Sequence, residues 1–109
     1  IMSEKIELEN EAEKLRVDGK YQDAADRLNK ALEIDPDFVR AHLALAVVYF
    51  RLKDADKSCY HGKKAVELEP DDVFNYTALS VTYQRAWQLT QDNKYIQLAE
   101  ETKAKSDSM

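Results

Sequence analysis

ALEIDPDFVRAHLALAVVYFRLKDADKSCYHGKKAVELEPDD, residues 31–72, opens and closes on the same punctuation. Ala31, Glu33, Pro36 and Asp37 recur as Ala65, Glu67, Pro70 and Asp71, a spacing of 34 residues. The shift reaches outward in both directions. It carries Ala12 to Ala46 and Ser80, Leu15 to Tyr49 and Tyr83, and Leu8 to His42 and Tyr76. A fixed period of this length marks a stacked array of helix-turn-helix units, none of which can bury its apolar face without a neighbour.

Each helix boundary has a local cause. At Asp35-Pro36 and Glu69-Pro70 the proline cannot continue the preceding helix and suits the first turn of the next. Asp37, Asp71 and Asp72 then bring negative charge to a positive helix end. Helices are expected near 4–18, 21–34, 37–52, 55–68, 71–89 and 93–106, packed as antiparallel pairs.

These residues resemble the tetratricopeptide repeat: the quoted stretch looks like one complete repeat with its flanks, and residues 5–38, 39–72 and 73–106 give three over one domain, 1–109. The resemblance implies an all-α fold of six helices in a right-handed superhelical solenoid. It also implies close helix pairing through small residues, with Ala12, Ala46 and Ser80 facing Ala24, Ser58, Ala31 and Ala65. Leu15, Tyr49, Tyr83, Leu28, Leu32, Val66 and Leu68 are the expected core.

Two places depart from the pattern. Gly62 stands where Leu28 stands one repeat earlier, so the gap is filled by an aromatic such as Tyr60 or by close approach of another chain, or is tolerated as a packing change. In the third repeat Arg85-Ala86-Trp87-Gln88-Leu89 replaces the short turn, which lengthens the connection near 85–93. Trp87 and Leu89 are expected to cap the open end or to offer a partner an apolar handle.

Composition narrows function. A net charge of −5 argues against nucleic acid and anionic membrane, since phosphates are held by a clustered positive field. Charged residues make up 34% and hydrophobic residues 44%, with two glycines and two prolines, a balance that suits amphipathic helices. The charged opening Met2-Ser3-Glu4-Lys5 lacks the apolar run of a secretory signal. Ile1 ahead of Met2 reads as an added residue. With one cysteine, Cys59, and hence no intrachain disulfide, a cytoplasmic protein is expected.

Catalytic chemistry finds no footing. His42, Cys59 and His61 are the candidates for metal binding, but their spacing is no recognised ligand motif and a zinc site needs four ligands or three plus water. Cys59 is expected to be partly exposed. No phosphate loop or nucleophile arrangement is present, and the 21 acidic residues follow wet helix faces. Neither an enzyme nor a cofactor is expected.

The resemblance places a binding groove on the first helix of each pair. From the first repeat the inner stripe draws Ile6, Glu9, Asn10, Glu13, Arg16 and Val17; from the second Arg40, Leu43, Ala44, Val47, Phe50 and Arg51; from the third Phe74, Thr77, Ala78, Val81, Gln84 and Arg85. Spacings of three and four hold each stripe on one helical face. Leu43, Val47, Phe50, Phe74 and Val81 form an apolar floor. Arg16, Arg40, Arg51 and Arg85 form a rim able to pair with carboxylates, although three of them also complement the ends of their own helices.

Family members that hold acidic chaperone tails do so with a clamp of lysines, asparagines and an arginine. Here Glu9, Glu13, Ala44, Phe74 and Ala78 stand at those sites, so that mode is disfavoured. The expected function is an adaptor that receives a protein partner's amphipathic helix or extended peptide. The alternative is a self-assembling array in which another copy covers the groove or the apolar end surfaces.

Overall fold

The computed structural model describes residues 3–109; Ile1 and Met2, with the reading of Ile1 as an added residue, lie outside it. Six α-helices follow one another: α1 Glu4–Val17, α2 Tyr21–Ile34, α3 Val39–Arg51, α4 Ala55–Leu68, α5 Val73–Thr90 and α6 Lys94–Asp107. They pack as the pairs α1/α2, α3/α4 and α5/α6, and successive pairs stack through α2 on α3, α4 on α5 and α3 on α5. The architecture is an all-α helical-repeat solenoid. Among the described residues no helix is long and apolar enough to cross a membrane.

The prolines act differently from expectation. Pro36 and Pro70 lie in turns ahead of α3 and α5 rather than in the helices' first turns. The Asp35 side chain accepts from the backbone N–H of Asp37 at 3.1 Å and shapes the first of these turns. Phe38, the residue before α3, is buried, with Lys5 and Arg40 over its ring at 5.0 and 5.1 Å. At the equivalent place before α5, Asp72 accepts from the Phe74 N–H at 3.0 Å, relieving one orphan donor of the helix start. One junction is therefore closed by an apolar plug and the next by a polar cap.

Within pairs the small residues meet. Ala12, Ala24, Ala31 and Ala65 are buried to 2% exposure or less, which lets backbones approach. The Ser58 hydroxyl donates to the Ala46 carbonyl at 2.6 Å, and that of Ser80 to the Ala99 carbonyl at 2.9 Å. Leu28, Leu45 and Val48 are the largest fully buried aliphatic side chains, each stabilising the fold by roughly 1.5–3 kcal/mol through burial. Tyr49 and Tyr83 are buried as expected, whereas Leu15, Leu32, Val66 and Leu68 are half-buried.

The turn inside each pair explains the long third repeat. Gly19 ends the first helix with φ +77, and Lys53, its equivalent 34 residues on, adopts φ 62. The next equivalent is Trp87, which stays helical and packs into the second core cluster with Leu89. The left-handed residue is instead Gln91, φ 59, one helical turn later. Accordingly α6 begins late, at Lys94, five residues beyond the place one period after Ala55, the start of α4.

Candidate functional site

The inner face contains two hollows that are the same place in successive repeats. The first, about 400 Å³, is lined by Glu9, Asn10, Ala12, Glu13, Arg16, Leu28, Arg40, Ala44 and Val48. The second, about 280 Å³, is lined by Leu43, Ala46, Val47, Gly62, Phe74, Thr77, Ala78, Val81, Thr82 and Arg85. A shift of 34 residues carries Glu9, Ala12, Glu13, Leu28, Arg40, Ala44 and Val48 onto Leu43, Ala46, Val47, Gly62, Phe74, Ala78 and Thr82.

Their chemistry diverges sharply. Across the first hollow Arg40 donates two hydrogen bonds to Glu9, at 2.7 and 2.9 Å, joining α3 to α1. Arg16 donates two to Glu13, at 2.6 and 3.0 Å, and this partner holds the Glu13 carboxyl below its usual range. The Arg16 and Arg40 guanidinium groups are correspondingly pushed up. Both pairs are solvent-exposed, a setting in which ion pairs are worth about 0–1 kcal/mol. Their main effect is to occupy the charges.

The second hollow is apolar. Phe74 is 63% exposed and Val81 37%, while Leu43, Val47, Ala78 and Phe50 are half-buried. The Thr77 hydroxyl is engaged by the Val73 carbonyl and by Ser106, and that of Thr82 by the Ala78 carbonyl. Arg85 lies over the Phe50 ring at 5.3 Å. Arg51 is drawn the other way, over Tyr21 of α2 at 5.7 Å, and lines neither hollow.

The groove stripe is thus split. Asn10, Glu13, Arg16, Arg40 and Ala44 gather in the first hollow, and Leu43, Val47, Phe74, Thr77, Ala78, Val81 and Arg85 in the second. Phe50 touches the second hollow through Arg85. Gly62 and Thr82 were not expected in the site. A Cβ built on Gly62 would come within 3.1 Å of Leu79 and 3.3 Å of Thr82. Neither Tyr60, which is 54% exposed, nor another chain fills that gap: α5 of the same chain does. The signal was the Leu28-to-Gly62 exchange within the repeat register.

The metal candidates separate as well. His42 and His61 meet in the interior, Nδ1 to Nδ1 at 2.9 Å. Cys59 is buried rather than partly exposed and belongs to another cluster, with Tyr83 and Tyr95. Burial pushes its thiol up to about 11, which makes it a poor nucleophile. Among the described residues no three His, Cys, Asp or Glu side chains are placed to hold a metal.

At the open end Trp87 is half-buried and donates from Nε1 to Asn93 at 3.3 Å. A third depression there is lined by Ser80, Gln84, Trp87, Gln88, Ile96, Ala99, Glu100 and Lys103.

A family model described as a TPR repeat matches residues 14–53, from the end of α1 through α3. No curated protein matches the sequence. Among solved structures, the first TPR domain of Spaghetti (RPAP3) bound to the HSP90 peptide SRMEEVD superposes with a TM-score of 0.67 at 21% identity, over 93% of this chain and 91% of that one. The first TPR domain of human RPAP3 gives 0.66 at 20% identity, over 96% of both chains. The family model spans 40 residues of the chain, and the three stacked helix pairs share the fold of these TPR domains.

Proposed function

We propose that the protein is a non-enzymatic, intracellular adaptor whose inner face receives an amphipathic helix or extended peptide of a protein partner. The observation that carries this reading is the second hollow. Its apolar wall includes an aromatic side chain 63% exposed, and a contiguous apolar patch of this kind on a soluble domain marks an interaction surface. The similar Spaghetti domain was determined with a bound peptide, which supports a protein ligand.

The ligand is not an acidic chaperone tail held by the family's clamp. At the clamp sites Glu9 and Glu13 are acidic, and Ala44, Phe74 and Ala78 carry no charge. An apolar ligand with a carboxylate toward Arg85 fits better. Capture from native extract by the wild type, compared with Val47→Glu and Phe50→Glu, tests the assignment. Both substitutions are expected to abolish capture while helical content by circular dichroism stays intact; undiminished capture overturns the groove. Self-assembly through Phe74 is the second reading, and light scattering that finds a concentration-independent monomer removes it.

A further inference from the structure

The two inner hollows occupy equivalent positions, yet only one is open to an apolar guest. Beneath the first lies Leu28, fully buried; beneath the second lies Gly62, whose missing side chain lets Leu79 and Thr82 of α5 approach closely. Above the first, Glu9 and Glu13 are held by Arg40 and Arg16; at the same places above the second stand Leu43 and Val47. The Thr77 and Thr82 hydroxyls donate to carbonyls of their own helix, so apart from Arg85 no side chain of the hollow has a hydrogen left to offer a polar guest. Arg85 lines the hollow, and among the described residues it has a ring contact but no carboxylate partner.

We infer that the Gly62 hollow is a selectivity pocket that takes one bulky apolar side chain of the partner, with a neighbouring carboxylate of the same segment paired to Arg85. The proposal rests on the groove reading above and adds which repeat does the selecting and for what. At about 280 Å³ the pocket is no larger than the smallest ordinary small-molecule sites and suits a side chain rather than a cofactor. Charge complementarity names the rest of the occupant: the inner-face arginines of the first repeat boundary are already neutralised, while Arg85 is not.

The test uses probes of defined chemistry on the full chain, read by amide chemical shifts. N-acetyl-leucine and N-acetyl-tryptophan, titrated in the millimolar range, are expected to move Ala46, Gly62, Ala78 and Thr82, with N-acetyl-glutamine leaving them in place. The leucine amide is expected to bind several-fold more weakly than the free acid, a gap that closes in Arg85→Gln. Ala78→Leu fills the pocket from the wall, and Val81→Glu charges it should the first variant not fold. Each is expected to abolish the shifts. Equal response to glutamine, or shifts confined to Ala12 and Ala44, overturns the pocket. Partner capture separates the two readings: loss with Val47→Glu but retention with Ala78→Leu leaves the groove standing and removes the pocket. Retention with Val47→Glu removes both.

Discussion

His42 and His61 face each other through their Nδ1 atoms at 2.9 Å, and His42 holds the carbonyl of Pro36 with its other nitrogen at 2.8 Å. A carbonyl only accepts, so His42 Nε2 carries a hydrogen and, in the neutral ring, its Nδ1 is a lone pair. His61 Nδ1–H is then the donor. The pair ties the turn between the first two repeats to α4.

This arrangement predicts acid sensitivity. Burial, with His42 and Lys57 nearby, pushes His61 down from 6.5 to about 4. Between those values the unfolded chain binds more protons than the folded one, so stability is fully present above pH 6.5 and is lost as pH falls toward 4. The loss is at most about 3 kcal/mol. Chemical denaturation at a series of pH values should show the decline, and His61→Phe should flatten it. A profile unchanged by that substitution would place the sensitivity elsewhere.

Lys53 stands where the preceding repeat has Gly19, and both have positive φ. A left-handed conformation costs a non-glycine residue about 1–2 kcal/mol, partly offset in Lys53→Gly by the greater freedom of the unfolded chain. Lys53→Gly is therefore expected to stabilise the protein by roughly 0.5–1 kcal/mol and to raise Tm by a few degrees. A calorimetric scan checks it, and Gly19→Lys should act in the opposite sense.

Asn75 is buried to 1% exposure and its amide donates to the carbonyls of Ala65 and Glu69 at 3.3 and 3.4 Å. It thereby serves the end of α4 from the start of α5, at a place where the previous repeat has Ala41. Asn75→Ala removes both bonds and leaves space behind. A loss of about 1–3 kcal/mol is expected, measurable as a shift in the denaturation midpoint.

Much of this was legible in the sequence because the repeat states each fact more than once. Ala31 and Ala65 or Tyr49 and Tyr83 announce their burial by recurring at one interval. What recurrence cannot convey is partner choice among side chains. Arg16, Arg40, Arg51 and Arg85 read alike as an inner rim, but Glu9 and Glu13 occupy two of them, and Tyr21 draws away a third. His42 and His61 stand out together in the sequence, on the paired helices of one repeat, but their direct hydrogen bond does not. His42 and His61 fall at positions held by Leu8 and Arg27 one repeat earlier, so no periodic signal pointed to their contact.

The division among the arginines yields the last prediction. Arg40 gives both of its bonds to Glu9, and drawing it toward a ligand carboxylate would strand that glutamate. Arg85 gives up only a contact with the Phe50 ring, and a guanidinium can pair with a carboxylate while keeping an aromatic face behind it. Arg85→Gln is therefore expected to weaken partner binding by about 0.5–1.5 kcal/mol, and to reduce its salt dependence, since an exposed ion pair is screened. Arg40→Gln is expected to change affinity little. Titrating the captured partner against both variants at low and high salt checks the asymmetry; equal losses would mean that Glu9 releases Arg40 when the groove is filled.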